Sequence, residues 1–191
     1  MGNRSKETIT IGSAVPYLMT HTDTMPSVEE ICVEQYRLGY IQSGAAVSYV
    51  EETKEEKDDL GYVSKVITTN EEARVKLGLL TWNGATLPYL IDRCKVVEEN
   101  GKRITKIGGA GNAQGKYYVL CLHHVDKQDG DFWVMIVGRN TAGATITLAP
   151  DSGTKLEPEF LAKPHDNDGT LVLFIEEADA TSAQTGDETE E

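Results

Sequence analysis

The 191-residue chain has few cysteines and no long apolar run, and each shortage excludes a class of protein. No apolar segment approaches the roughly 20 residues that span a bilayer, and the first residues lack the apolar core of a secretion signal. The three cysteines are widely spaced and form no Cys-x-x-Cys pair, which argues against a zinc site or a disulfide framework. The three are Cys32, Cys94 and Cys121. We expect them to be reduced and mostly buried, in a protein made in a cytoplasm.

Basic residues are also scarce: the chain has 18 Lys and Arg but 31 Asp and Glu, which gives a net charge of −13. Proteins that grip DNA or RNA through its phosphates need clustered Lys and Arg, so this function is disfavoured. The segment Glu176–Glu191 holds seven of the acids and no Lys or Arg. Its small polar residues are typical of disorder, and we predict an acidic disordered C-terminal tail over 178–191.

One glycine-rich stretch, GGAGNAQGK at Gly108–Lys116, has some features of a phosphate-binding loop. Such a loop needs a glycine where this chain has Ala110 and a Ser or Thr where it has Tyr117. It also needs a following helix, whose positive end faces the phosphate. The residues that follow are instead aromatic and β-branched, which indicates a strand. We interpret the stretch as a flexible connection between two strands, with no cofactor bound.

Residues 1–43 mix helical and strand signals. We predict a short strand at Ile9–Ile11, an extended arm over Ser13–Glu30 and a strand over Gln35–Ile41. Beyond these residues, polar and apolar side chains alternate clearly, which predicts a long hairpin over Ala45–Thr68.

The charged run Glu55–Asp59 predicts the protruding loop of this hairpin. After the hairpin the period changes, and we predict a helix that is capped by Thr69 or Asn70 and ends at Asn83–Gly84. A second short helical turn is predicted in TLPYLIDRC. The first helix would present apolar residues at helical spacing, namely Ala73, Leu77 and Leu80, with Val75 and Leu79 nearby.

Strands and tight turns dominate the rest of the chain. Asn100–Gly101 marks the turn of one hairpin, and Lys127–Gly130 marks the turn of another within KYYVLCLHHVDKQDGDFWVMIVGRN. ATITLAP and TLVLFIEE predict two more strands, separated by the extended stretch and turn of LEPEFLAKPHDNDG. About eight strands with one flanking helix predict a β-rich α+β fold, a β-sandwich or partly closed barrel.

No catalytic or metal-binding constellation stands out. His123 and His124 are adjacent in a predicted strand, so they point to opposite faces and do not readily share a metal. Cys121 and His123 share a face but lack the third, orienting group of nucleophilic catalysis. HDNDG at 165–169 misses the EF-hand spacing and suits a tight turn. We expect one interior histidine and three on the surface, with no metal site and no enzymatic activity.

The order of these pieces is itself informative. The long-looped hairpin is followed by ITTNEEARVKLGLLTWNGATLPYL, KRITKIGG, YYVLCLHHVDKQDGDFWVMIV and KLEPEFLAKPHDNDGTLVLFIEE. Over roughly Gly44 to Glu177, this order resembles that of the major tail tube proteins of long-tailed bacteriophages and prophages. We therefore divide the chain into an N-terminal arm with the first strands (1–43), a tail-tube β-sandwich domain (44–177) and the acidic tail (178–191).

The resemblance implies a structural virion protein, assembled in the host cytoplasm, that forms hexameric rings stacked into a hollow tube. Strands of neighbouring subunits would join into one β-barrel around an acidic lumen, through which DNA passes without adhering because like charges repel. The implied partners are copies of the chain and the tail terminator, tape measure and distal tail proteins, with no cofactor and no membrane. Inner tubes of contractile injection systems share the fold, so that alternative stays open.

The resemblance also suggests roles for particular segments. Two hairpins are candidates for the tube wall, Ala45–Lys54 with Leu60–Thr68 and Tyr117–Val137. The loop Glu55–Asp59 and the arm Ser13–Glu30 are candidates for contacts between rings, ordered on assembly. The glycines of the 108–116 stretch would allow a neighbouring subunit to approach closely.

Two other functions stay open. A virion-associated binding or adhesion module would expose clustered aromatic side chains, whereas Trp82 and Trp133 lie in different predicted elements. A hydrolase would have to use Cys121 and His123.

Overall fold

The computed structural model describes residues 12–60, 62–146, 148, 150 and 153–178. Strands dominate and helices are short, so the predicted β-rich α+β class is confirmed. The strands are β1 (Val15–Thr20), β2 (Ile41–Lys57), β3 (Ser64–Leu79), β4 (Cys94–Glu99), β5 (Lys102–Ile107), β6 (Tyr118–His124), β7 (Phe132–Asn140), β8 (Glu159–Ala162) and β9 (Leu173–Glu176). The helical segments are α1 (Val28–Ile31), α2 (Leu87–Leu90) and 3₁₀ turns at Glu34–Tyr36 and Ala110–Asn112.

Seven strands form one antiparallel sheet in the order β1-β6-β7-β8-β3-β2, and β4 and β5 form a separate two-stranded sheet. The remaining strand, β9, pairs with Phe132–Met135 at the start of β7, while Gly138–Asn140 at its end pair with β8. At Gly138 the neighbouring strand β8 is so close that an added Cβ atom would lie 2.4 Å from the carbonyl oxygen of Leu161. The central strand β7 therefore joins three partners.

Strands β6 and β7 of the large sheet are packed on both faces. One face of β6 and β7 contributes alternate residues, such as Leu120 and Ile136, to a cluster that also holds β3 and α2 side chains. The other face contributes Val119, Cys121 and Met135 to a second cluster, which is covered by residues in and around α1. Alternation along each strand thus supplies two cores on opposite faces.

A capping box begins α1 and fixes the chain over the second face. The Ser27 hydroxyl accepts a hydrogen bond from the Glu30 backbone N–H at 3.3 Å, and the Glu30 carboxylate accepts one from the Ser27 N–H at 2.8 Å. This reciprocal arrangement satisfies two backbone donors at the start of the helix. It places Ile31 and its neighbours against the sheet.

The helix predicted after the long hairpin is wrong, because these residues continue strand β3. The buried positions recur every second residue and not every third or fourth. Pairing with β2 on one side and with β8 on the other decides the outcome, and one face of the strand packs into the first core. The buried residues of this face are Ala73, Val75, Leu77 and Leu79.

The predicted hairpins are confirmed, and so is a short helix within TLPYLIDRC, which is α2. Asn100 and Gly101, with φ of 51° and 71°, form the tight turn between β4 and β5. The long hairpin is longer than predicted: β2 runs to Lys57, so the connecting loop is 58–63 and not Glu55–Asp59.

Three predictions in the irregular regions are wrong or only partly right. Gln35–Ile41 is not a strand: its first residues belong to a 3₁₀ turn, and Leu38 packs into the first core, with its N–H donating to the Pro16 carbonyl. The arm Ser13–Glu30 contains β1 and most of α1, and β1 pairs with β6 along its whole length. In ATITLAP, the described residues 144–146, 148 and 150 form no strand.

The predicted strand at Ile9–Ile11 and nearly all of the acidic tail lie outside the described residues. The division into an arm, a sandwich domain and a tail stays a prediction. Within the described ranges, no helix has the length and apolarity that a membrane-spanning helix requires.

Candidate self-assembly surface

The far part of the β2–β3 hairpin is exposed on both faces. Every described residue of 50–60 and 62–71, which we call the outer hairpin, is exposed. Pairing between the strands nevertheless continues to Lys57 and Ser64. Eight strand residues span roughly 27 Å. The outer hairpin is therefore a two-stranded ribbon that extends well beyond the packed part of the protein.

Large apolar side chains are exposed along this ribbon. Leu60 and Tyr62 in the loop are 77% and 84% exposed, and Val66 on β3 is 61% exposed. Val50, Val63 and Ile67 are exposed as well. Single exposed apolar residues are ordinary on protein surfaces, whereas several of them on one projecting element make that element a candidate contact site.

Both edges of the outer hairpin are unpaired within the described part of the chain. Strand β2 is the last strand of the sheet and pairs with β3 alone. Strand β3 pairs with β8 only over Arg74–Lys76, so its outer half has a free edge too. Free edges present rows of backbone N–H and C=O groups that can pair with another chain.

The two faces of the ribbon differ in charge. The face that continues the buried side of β3 carries Glu51, Glu55 and Glu71 and one lysine, Lys57, which lies 3.0 Å from the Glu55 carboxylate. The opposite face mixes charges, with Lys54 in an ion pair with Glu56. Over residues 45–72 there are eight acidic and three basic residues, so the ribbon as a whole is acidic.

An ion-pair group holds the base of the ribbon. The Arg74 guanidinium donates to the Glu72 carboxylate at 2.5 Å and to the Glu159 carboxylate of β8 at 2.6 Å. The hydrogen bond from Arg74 lowers the pKa of Glu72, and the same bonds raise the pKa of Arg74. Both groups therefore stay charged, and the ribbon is tied to the body at β8.

Irregular backbone shapes the ribbon at both ends. A bulge lies at Thr69, where Glu52 pairs with Asn70 and Thr53 already pairs with Thr68. Bulges bend and twist a strand pair locally. In the loop, the Asp58 carboxylate accepts hydrogen bonds from the backbone N–H of Val63 at 2.7 Å and of Leu60 at 3.3 Å.

A groove of about 470 Å³ lies beside the base of the ribbon. Val47 and Tyr49 of β2 form one side, and the turn before β9 forms the other with Thr170, Leu171 and Val172. Glu71 of β3 also lines the groove, so the groove lies on the face that continues the buried side of β3. It adds a concave site to the projecting one.

No protein-family model matches this chain, and no curated protein matches it.

The structure places the two adjacent histidines on opposite faces, as predicted. His123 stacks on Trp133 and lies 2.8 Å from the Asp131 carboxylate. His124 is buried, and its Nδ1 lies 3.0 Å from the Ser13 carbonyl oxygen. The expectation of three surface histidines is wrong for His165, whose side chain is only 3% exposed. Among the residues described, no three His, Cys, Asp or Glu side chains are grouped to hold a metal ion.

The Cys121 and His123 pair does not have the arrangement of a nucleophile and its base. Cys121 is completely buried, and burial raises the pKa of its thiol strongly. The ring nitrogen of His123 contacts Asp131 instead of the sulfur. The thiolate, which is the reactive form, is therefore disfavoured.

The glycine-rich stretch connects β5 to β6, and its polar groups bond within the protein. The Gly115 N–H donates to the Asp92 carboxylate at 2.9 Å, and the Gln114 side-chain amide donates to the carbonyls of Pro88 and Cys94. The connection is thus tied to neighbouring segments. HDNDG is a tight turn as predicted, with the Asp166 carboxylate accepting from two backbone N–H groups.

The two tryptophans do not form a common aromatic surface. Trp82 packs against the first core and donates its indole N–H to the Thr154 carbonyl at 3.1 Å. Trp133 packs against the second core on the opposite face.

The sequence does not reveal that the ribbon includes β3 beyond Thr68, or that Tyr62 and Val66 are exposed on it. The signal was available in part. Apolar and polar residues alternate with a period of two from Ala73 to Leu79. This pattern indicates that the strand continues through these residues.

Proposed function

We propose that this chain is a structural protein that assembles with copies of itself through the outer hairpin. One observation carries the proposal: a long ribbon exposes apolar side chains and two free strand edges within the described residues. The tail tube of a long-tailed bacteriophage or prophage is the assembly that this arrangement and the sequence resemblance favour together. Hexameric rings stacked into a tube would place the ribbon between subunits.

Strand pairing supplies the physical reason. An isolated two-stranded ribbon is marginally stable in water, and added strands stabilise it. A neighbour that pairs with the free edges of β2 and β3 would satisfy their backbone groups and cover Val50, Val66 and Ile67. Contacts between different surfaces of identical subunits close into rings or continue as filaments. A tube of stacked rings needs one contact that closes each ring and a second contact that stacks one ring on the next.

Charge supports the passage of DNA through such a tube. The ribbon is acidic, and the face that continues the core side carries three glutamates against one lysine. A wall with this charge repels phosphates, so DNA slides along it without binding. The other mixed face is suited to contacts with protein.

Sedimentation velocity over a range of protein concentrations tests the role of the ribbon. In the test variant, residues 53–69 are replaced by Asn-Gly, so that Glu52 and Asn70 flank a two-residue turn. We expect the wild type to form large species as concentration rises and the shortened variant to remain monomeric. Circular dichroism and thermal unfolding check that the variant keeps the body of the fold.

A shortened variant that assembles as well as the wild type would contradict the proposal. So would a wild type that stays monomeric and binds glycans on an array, which would favour the adhesion module instead.

A further inference from the structure

Two of the three cysteines lie side by side although they are distant in sequence. The Sγ atoms of Cys32 and Cys121 are 3.7 Å apart and 89 residues separate them along the chain. Cys32 caps the C-terminal end of α1, and Cys121 is in the middle of β6. Both are free thiols. The packing of α1 on the second face of the sheet therefore brings two thiols into contact.

The two thiols differ in access. Cys121 is completely buried, whereas Cys32 is partly exposed. Burial raises the pKa of both thiols, and for Cys32 this is partly offset by interactions with Cys121 and the Trp133 indole. A reagent from solution therefore reaches Cys32 first. Cys94 is buried in the other core and contacts neither.

We propose that Cys32 and Cys121 form an oxidisable dithiol site whose co-substrate is a hydroperoxide. Cys32 is the residue that reacts with the peroxide, and Cys121 is the residue that resolves the product into a disulfide. The site does not depend on assembly, since both residues lie within one chain.

The chemistry balances in two steps. The Cys32 thiolate attacks one oxygen of the peroxide, the O–O bond breaks, and Cys32 becomes a sulfenic acid while the other oxygen leaves as water or an alcohol after protonation. The Cys121 sulfur then attacks the Cys32 sulfur, the S–O bond breaks, and the hydroxyl leaves as water with the Cys121 proton. Overall, two thiols are oxidised to one disulfide, and with hydrogen peroxide two water molecules are released.

Short local movement suffices for the second step. A disulfide bond is about 2.05 Å long, so the sulfurs must approach by roughly 1.6 Å. Cys32 lies at the end of a four-residue helix, where rotation about χ1 and small backbone shifts bring Sγ closer. The bond would fix the α1 segment to β6. It would also restrict the unfolded chain across a long loop, which raises thermal stability.

Peptide mapping of the oxidised full-length protein tests the site. Native protein is treated with hydrogen peroxide, alkylated with N-ethylmaleimide in denaturant, digested and analysed by mass spectrometry. We expect the Cys32 and Cys121 peptides to be linked, with Cys94 alkylated and with loss of the link after dithiothreitol. The melting temperature should rise by about 5 °C or more on oxidation.

Variants at the other cysteines give matched controls. Cys94→Ala should form the same link as the wild type and show the same thermal shift. In Cys121→Ala, Cys32 should be trapped by dimedone as a sulfenic acid or oxidised further, with no thermal shift. If Cys121→Ala does not fold, the wild-type map still decides. A disulfide that includes Cys94, or Cys32 oxidised to sulfinic acid while Cys121 stays alkylatable in the wild type, would overturn the proposal.

Discussion

At the residue scale, single glycines set how closely the strands approach. A Cβ atom at Gly138 would lie 2.4 Å from the Leu161 carbonyl oxygen, so β7 and β8 would have to separate. We expect Gly138→Ala to lower the free energy of unfolding by about 1–3 kcal/mol, as overpacking usually does. Urea unfolding monitored by tryptophan fluorescence measures it.

Gly111→Ala is the matched control, because an added Cβ atom there meets nothing within 4 Å. It should change the unfolding free energy by less than about 0.5 kcal/mol. Equal effects of the two substitutions would contradict the close approach at Gly138.

Single side chains of the ribbon should contribute to assembly in proportion to their burial by a neighbour. Val66 is 61% exposed on the outer hairpin, and Val125 is 51% exposed elsewhere. Covering a valine contributes about 1.5 kcal/mol or more, so Val66→Lys should weaken association about tenfold. Val125→Lys should leave association unchanged. Light scattering against concentration distinguishes them, and equal weakening by both would count against the ribbon as the contact site.

The turn at Asp166 predicts a pH dependence. Hydrogen bonds from Thr170, through its side chain and backbone, lower the pKa of the Asp166 carboxyl. The ionised carboxylate is thus favoured in the folded protein. It stabilises the fold above the usual carboxyl pKa, and this contribution is lost as the pH falls through the lowered value.

Asp166→Asn should therefore lower the melting temperature at about pH 7 and have a smaller effect at about pH 2.5. Asp59→Asn, in the hairpin loop, controls for the change in net charge. A difference between wild type and Asp166→Asn that stays constant across this pH range would show that ionisation of Asp166 does not stabilise the turn.

At the element scale, β8 is short but joins β7 to β3, and Phe160 is its buried anchor. The Phe160 side chain is fully buried in the first core. Phe160→Ala should cost about 3–5 kcal/mol of unfolding free energy, through lost burial and an unfilled cavity.

Phe174→Ala provides the same chemical change at a residue that is 60% exposed on β9. Its expected cost is about 1 kcal/mol, mainly from the contact with the Phe132 ring. Chemical denaturation of both variants compares them, and a larger cost at Phe174 would contradict the assigned core.

The elements that sequence could predict are those fixed by local chemistry. Asn100–Gly101 specifies its turn because both residues adopt positive φ readily, and alternation specifies the strands around it. The sequence predicts a helix where β3 lies because Ala73, Leu77 and Leu80 also suit helical spacing. Pairing with β2 and β8, which involves distant residues, decides against the helix.

Features that depend on distant partners escaped prediction entirely. The contact between Cys32 and Cys121 and the tie from Arg74 to Glu159 join residues 89 and 85 positions apart. In both pairs, the sequence around one residue does not specify the distant residue that it contacts. The outer hairpin is exposed because it extends beyond the packed part of the protein. Its local sequence does not show where that packed part ends.

At the scale of the whole molecule, net charge opposes association while apolar contacts favour it. The chain carries −13, and the ribbon shares this sign. Raising the ionic strength from about 0.1 M to about 1 M shortens the Debye length from about 10 Å to about 3 Å. Assembly should therefore begin at lower protein concentration in high salt.

Turbidity and sedimentation at the two salt concentrations measure this effect, with the shortened-hairpin variant as control. Association that weakens as salt rises would indicate that attraction between opposite charges drives it, contrary to the role given to Val66 and its apolar neighbours.

Negative-stain electron microscopy of concentrated, purified protein shows whether the chain assembles into rings and tubes. We expect rings or hollow tubes of uniform diameter for the wild type, and separate globular particles for the variant with 53–69 replaced by Asn-Gly. Wild-type protein that stays dispersed as single globular particles at every concentration and salt would contradict the proposed self-assembly.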